Sequence, residues 1–137
     1  MSDAIVLDAC AMVAILNNED GADRVAAAYK KAERGEADIY INRVNLLEVY
    51  YGYYRENGKA YADNIIDSIA QSIITIAEFD KELFNEAGRL KASYRISLAD
   101  SIVLSQALAL GGELLTADHH EFDIIEGSEP IRFHWIR

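Results

Sequence analysis

The chain has 137 residues and a mass of 15.3 kDa, which fits one domain over residues 1–137 and leaves no room for two. About half of it is apolar (51%) and 26% is charged, enough for a core without disulfide staples and too mixed for a disordered or fibrous chain. Thirteen Lys and Arg stand against 23 Asp and Glu, a net charge of -10, which excludes a nucleic-acid coat that works through a basic face but not a nuclease whose carboxylates share one cation-masked pocket.

Residues 4–8 (AIVLD) are an apolar run ending in an acid and read as a strand buried on both faces. Residues 11–16 read as a short helix. Asp20, with Asp23 three residues on, suits the N-cap of a helix that reaches about Arg34 and ends at Gly35. Residues 38–42 (DIYIN) alternate and are rich in β-formers, which predicts a second strand. Asn42 can cap a long helix through Tyr54, with Val44, Leu47, Tyr51 and Tyr54 on one apolar face and a break at Gly58. A further helix fits residues 59–70, and residues 72–76 (SIITI) fit a third strand. Asp80 caps a helix to about Tyr94. Ser97 caps another through Leu110, stopped by Gly111 and Gly112. Residues 113–116 form a fourth strand and residues 131–134, after the only proline, a fifth. Strands alternating with helices predict an α/β fold: three layers, α/β/α, around a parallel sheet of four to five strands.

Open parallel sheets bind ligands beyond the carboxyl ends of their strands. Asp8 closes the first strand, and Asp118 follows the fourth by two residues. Asp100 lies in the first turn of the helix that feeds the fourth strand. Glu48 lies in the second turn of the helix after the second strand, at the margin of its apolar face. A carboxylate near a core is costly unless it is paired or bound to a metal. The plain reading of Asp100 is a helix N-terminal acid favoured by the dipole, and that of Asp8 is a strand-end acid. No partner set of Arg or Lys accompanies these four acids in their motifs. An all-oxygen, all-acidic set suits a hard cation, Mg²⁺ or Mn²⁺, which activates water and holds phosphate oxygens during in-line phosphoryl transfer.

Four segments stand in order along the chain: IVLDACAMVAIL, INRVNLLEVYYG, SLADSIVLSQAL and LLTADHHEFD. With these spacings the chain resembles the PIN-domain ribonucleases, and among them the VapC-type toxins of bacterial and archaeal toxin–antitoxin pairs, over nearly its whole length. The resemblance implies that Asp8, Glu48, Asp100 and Asp118 are the catalytic and metal-binding acids, with Thr116 as a polar helper. It implies a Mg²⁺- or Mn²⁺-dependent endoribonuclease that leaves 5′-phosphate and 3′-hydroxyl ends, uses no organic cofactor, and forms a homodimer blocked by a cognate antitoxin. The sequence departs from the family's pattern at Cys10 and Asn42, where Ser or Thr is usual. The alternative within the same fold is a non-catalytic RNA-binding or regulatory module, against which all four acids stand. A phosphoacceptor receiver domain is excluded: it needs paired acids after the first strand and an Asp closing the third, where this chain has Leu7-Asp8-Ala9 and Ile76-Ala77.

The remaining polar residues have plainer readings. His119 and His120 beside Asp118 could bind zinc, but suit a turn before Phe122. Asp123 is either an outer acid of the site or solvated. Cys10 lacks the Arg six residues on that a phosphatase loop needs, since residue 16 is Leu, and reads as a small packed residue. Six of the eight tyrosines fall between Tyr40 and Tyr61, which suits either a partner groove or helix packing. Arg43, Arg55, Lys59, Lys91 and Arg95 either hold RNA phosphates at the rim of the site or form a solvated face. The longest uncharged stretch, residues 101–112, is too short to span a membrane. With one cysteine, and no basic region followed by an apolar run at the start, a cytoplasmic protein is expected.

Overall fold

The computed structural model describes residues 3–137, in the order β1 (Asp3–Leu7), α1 (Ala9–Leu16), α2 (Ala22–Glu33), β2 (Ala37–Asn42), α3 (Arg43–Asn57), α4 (Lys59–Ala70), β3 (Thr75–Ala77), α5 (Lys81–Ser93), α6 (Leu98–Leu110), β4 (Glu113–Thr116), α7 (His119–Phe122) and β5 (Arg132–Trp135). The five strands pair in parallel in the order β3-β2-β1-β4-β5, with helices on both sides of the sheet, as the alternating pattern predicts. Ile5 faces Ile39 on one neighbour and Glu113 on the other, and Leu7 faces Ile41 and Leu115.

The chain steps outward from β1 through β2 to β3, then crosses back to lay β4 on the other side of β1. Strand order therefore reverses between β1 and β4. At such a reversal the two crossovers leave in opposite directions, and a crevice opens beyond the carboxyl ends of the strands.

The pleat sends alternate β1 side chains to opposite faces. Ile5 and Leu7 join Met12, Val25, Ile39, Ile41, Leu46 and Val49 in the core under α1–α4. Val6 joins Leu90, Val103, Leu104, Leu114 and Phe122 in the core under α5 and α6. The central strand β1 is buried over Val6 and Leu7 on both faces, as its apolar run predicts.

Local signals set most boundaries. Asn42, Asp80 and Ser97 each cap a helix, accepting from the backbone N–H of Val44, Leu83 and Asp100. Gly111 ends α6 in the left-handed conformation. Arg89 on α5 pairs with Glu86 and with Glu129, which also accepts from the Tyr94 hydroxyl, so one guanidinium fastens the segment before β5 to the helical layer.

Three expectations are corrected. Gly21, not Asp20, is the N-cap of α2. The chain must adopt φ +94° there, and a Cβ would lie 2.6 Å from the Ile136 carbonyl oxygen. The third strand begins at Thr75 rather than Ser72, because the Ser72 hydroxyl donates to the Ile69 carbonyl and accepts from Ile74 N–H, holding a turn where extended chain was expected. On α3 the buried residues are Asn45, Leu46, Val49 and Tyr53, while Leu47 is 55% exposed and Tyr51 and Tyr54 are exposed as well. This helix carries apolar or aromatic residues nearly all round, so periodicity alone selects the wrong stripe. Among the described residues no helix is long and apolar enough to cross a membrane.

The close approach of Gly21 to Ile136 gives a direct stability test. Gly21→Ala should cost about 2–4 kcal/mol, combining a left-handed L-residue with a backbone collision. Urea unfolding should show a lower midpoint at unchanged slope.

Candidate active site

Asp8 sits where the sheet reverses, at the exit of β1, and is 4% exposed. Its Oδ1 accepts from Ala11 N–H at 2.7 Å and so caps α1. Its Oδ2 accepts from the Thr116 hydroxyl at 2.5 Å. Thr116 closes β4, is fully buried, and accepts in turn from Asp118 N–H at 3.0 Å. Thr116 thus links the acid that ends β1 to the loop that follows β4. Asp118 caps α7, its Oδ1 accepting from Glu121 N–H at 3.2 Å.

The other two acids come from α3 and α6, helices that pack on opposite faces of the sheet and touch each other. Glu48 is half-buried on α3, and its Oε1 accepts from the Asn45 side-chain amide at 3.3 Å. The same Asn45 Nδ2 also donates to the Ala99 carbonyl, 3.2 Å away, one residue before Asp100 on α6. Asp100 is half-buried beside its cap Ser97. The start of α3 is tied to α6 a second time, where Asn42 Nδ2 donates to Gln106 Oε1 at 2.9 Å between two buried side chains.

These placements make the acids feel one another. Burial pushes the Asp8 carboxyl up to about 6; the Thr116 and Ala11 hydrogen bonds act against this, and the charges of Asp118 and Glu48 add to it. Burial, then the charges of Asp118 and Asp8, push Asp100 up to about 7, against the hydrogen bond from Ser97. Glu48 is raised by burial first, with Asn45 pulling it down and Asp118 pushing it up. Among the described residues none of the four acids is in an ion pair. The structure therefore brings Asp8, Glu48, Asp100, Asp118 and Thr116 into one locality of concentrated, uncompensated negative charge.

Among the described residues no three His, Cys, Asp or Glu side chains close into a cage around a metal ion. Mg²⁺ does not need one, since it keeps several waters and is held by one or two carboxylates together with substrate phosphate oxygens. An open set of oxygen donors fits such an ion. Beside these acids the Asn45 side chain is fully buried, with its Nδ2 directed at Glu48 and its Oδ1 without a hydrogen-bond partner among the described residues. Sequence reasoning passed over Asn45, although its place three residues before Glu48 puts the two on one helix face.

The neighbouring residues take their plainer readings. His119 uses both ring nitrogens, Nδ1 with Asp123 Oδ1 at 2.9 Å and Nε2 with the Arg137 carbonyl at 3.0 Å, and stacks on Trp135 at 3.9 Å. It has no nitrogen left for zinc, and Asp123 is drawn to it. Rather than lying in a loop, both histidines open α7. Cys10 is half-buried, and its thiol is pushed up by burial and by Asp8, which makes it a poor nucleophile. The Arg137 guanidinium, another group the sequence did not single out, lies 3.9 Å from the Cys10 sulfur at the edge of the site. Arg43 and Lys59 form surface pairs with Glu78 and Asp63, and Lys91 and Arg95 are exposed. Arg55 lines a groove of about 510 Å³ that runs from Glu48 past Asn17, Tyr53 and Tyr61. Of the six clustered tyrosines, Tyr53 is buried, Tyr40 and Tyr50 are half-buried, and Tyr51, Tyr54 and Tyr61 are exposed.

The family model described as the PIN domain matches residues 5–127. Comparison with curated protein sequences gives no match. Among solved structures, VapBC2 from Rickettsia felis bound to a promoter DNA fragment contains a similar chain at TM-score 0.76 and 20% identity, covering 96% of this chain and 98% of that one. DNA-bound VapBC from Salmonella typhimurium gives TM-score 0.75 at 16% identity, with all of both chains covered. VapC20 of Mycobacterium tuberculosis, a Sarcin-Ricin loop cleaving toxin, gives TM-score 0.62 at 15% identity over 80% of this chain and 86% of that one. At these identities the structures share the fold, and the match of the family model over residues 5–127 carries the assignment: the chain belongs to the PIN-domain family.

Proposed function

We propose that the protein is a metal-dependent endoribonuclease and the toxin of a toxin–antitoxin pair. The observation that carries this is the like-charged group of buried Asp8 and half-buried Glu48, Asp100 and Asp118 near the sheet reversal, with no basic side chain among the described residues bonded to any of them. Ligand sites in open α/β sheets lie at that position. The PIN-domain match and the fold shared with VapBC structures support the nuclease and toxin parts of the reading.

In this reading the four acids would hold Mg²⁺ or Mn²⁺. A bound divalent ion supplies charge neutralisation and an activated water for in-line displacement at the RNA phosphodiester. Thr116 keeps the Asp8 carboxylate in one orientation through Oδ2, while the α1 N-terminus fixes Oδ1. Because Thr116 also accepts from Asp118 N–H, one hydroxyl ties the Asp8 carboxylate to the backbone of Asp118. Glu48 faces the groove of about 510 Å³, which offers Arg55 and the exposed ring of Tyr61 to a single strand leaving the site.

A protein partner suits the exposed stripe of Leu47, Tyr51 and Tyr54 on α3. The net charge of -10 favours a partner with a basic segment, and an Arg or Lys of that segment would compete with the cation for the acids. A cognate antitoxin and a homodimer complete the proposal. Co-purification from the native operon should recover the inhibitor; free protein with no inhibitor encoded nearby would count against the toxin role.

Two measurements test the site. Asp8→Asn and Asp100→Asn should each lower RNA cleavage in Mg²⁺ or Mn²⁺ by roughly 10²–10³-fold or more while the protein stays folded. EDTA should silence the parent, and the cut RNA should carry 5′-phosphates. Full activity in EDTA, or 2′,3′-cyclic phosphate ends, would sink the mechanism. RNA binding without cutting by the parent would instead leave a non-catalytic module.

The second measurement is of stability against pH. The Asp8 carboxyl is raised in the folded state, from 3.8 to about 6. Its protonated form is therefore the one folding favours. The penalty for its charge is absent below pH ~4, grows as pH rises, and is complete above pH ~6, at about 3 kcal/mol. Asn keeps an oxygen to cap α1. The melting temperature of metal-free Asp8→Asn minus that of the parent should therefore rise between pH 4 and 7. A difference that stays flat, or a variant that melts well below the parent at pH 7, would make Asp8 a structural acid.

A further inference from the structure

We propose that Asn45 is a positioning residue for this acidic site: its side-chain amide bridges the Glu48 carboxylate on α3 and the Ala99 carbonyl on α6, and so sets Glu48 beside the Asp100 end of α6 in the orientation a divalent cation needs. The inference rests on the metal-site reading above and adds to it a residue that is not itself an acid.

The orientation of the amide follows from its partners. Glu48 Oε1, 3.3 Å away, and the Ala99 carbonyl oxygen, 3.2 Å away, both accept hydrogen bonds. Only the NH₂ end of the amide can face them, since the reverse orientation would set three acceptors against one another. This leaves Oδ1 turned elsewhere, buried and with no donor. Asn45 is fully buried, and its two donated bonds, to Glu48 and to the Ala99 carbonyl, are ones that an apolar side chain of similar branching could not make.

Asn45 is not the only tie between these two helices. The buried Asn42–Gln106 amide pair already fastens the start of α3 to α6. What Asn45 adds is a second tie one turn further on, at the residue before Asp100 and at the carboxylate of Glu48. Side chains that hydrogen-bond a metal ligand in this way restrict its rotamers and fix which oxygen faces the ion.

The test is Mn²⁺ binding by the full chain without RNA, followed by calorimetry or by paramagnetic resonance of free Mn²⁺. Asn45→Leu should weaken Mn²⁺ binding roughly 10- to 100-fold while the metal-free melting temperature stays close to that of the parent. Asn45→Ala, with less bulk to accommodate, should do the same and stands in if the Leu variant does not fold. Because Asn45 acts through Glu48, removing it from a Glu48→Gln protein should change Mn²⁺ affinity little further. The proposal is overturned if either variant binds Mn²⁺ like the parent, if affinity and metal-free stability fall together in both variants, or if the loss in the Glu48→Gln background equals that in the parent. A parent that binds no Mn²⁺ overturns the metal site itself and this inference with it, whereas normal binding by parent and variants alike removes only the role of Asn45.

Discussion

Asp8 carries two structural duties on one buried carboxylate. One oxygen closes the N-terminus of α1 and the other takes the hydroxyl hydrogen of Thr116 from the end of β4, so the junction of the two central strands with the first helix runs through a single side chain. The position is dictated by topology. β1 is flanked by β2 and β4, and its carboxyl end opens on the crevice between crossovers that leave in opposite directions. A polar residue at that exit can reach the first turn of α1 and the end of β4 at once, and this geometry orders the loop through Asp118 as well.

Neither duty calls for a charge. Asn or Ser caps a helix about as well as Asp, and either could meet the Thr116 hydroxyl. An ionised carboxylate at 4% exposure instead carries a desolvation penalty, increased by the charges of Asp118 and Glu48. No basic side chain among the described residues pairs with the carboxylate. Arg89 is bound to Glu86 and Glu129, Arg43 to Glu78, and Lys59 to Asp63. The charge at Asp8 is thus a cost to the fold, and in the proposed function the cation offsets it. Asn45 poses the same question in neutral form, since an unmatched buried carbonyl costs about 1–3 kcal/mol.

The sequence carried the local features and missed the non-local ones. Caps at Asn42, Asp80 and Ser97 and the stop at Gly111 are written in single residues, because a cap is an interaction across three positions. The α/β class follows from alternation. The placement of β4 against β1 does not, because strand order is settled by crossovers that no local pattern encodes. Asp20 looked the better cap for α2 until Ile136, more than a hundred residues away, required a glycine beside it. On α3 the aromatic residues blurred the helical period, so the exposed stripe of Leu47, Tyr51 and Tyr54 was read as the inner face and Asn45 went unremarked. At the proposed site, Asp8, Glu48, Asp100 and Asp118 stand out in the sequence because each falls in one of four ordered segments that resemble those of the PIN-domain family. The long-range hydrogen bonds around them do not stand out, because Thr116 meets Asp8, and Asn45 meets Ala99, only across the fold.

The same electrostatics constrain which ligands the site can accept in the proposed reading. Two unit charges about 6 Å apart at an effective dielectric near 20 interact by about 3 kcal/mol. An RNA phosphate approaching several ionised carboxylates is therefore opposed by several such contributions, and a chain of net charge -10 adds long-range repulsion that salt only partly screens. A divalent cation reverses the sign locally, because it neutralises two carboxylate charges and still presents open coordination positions to phosphate oxygens. A guanidinium or ammonium from a protein partner neutralises only one charge and offers no such positions. It can occupy the acids but cannot recruit the phosphate, so a basic segment bound there would exclude the cation and the substrate together. A nuclease site built from acids alone is thus switched on and off by which positive charge occupies it, and needs no change in its own fold to be inhibited.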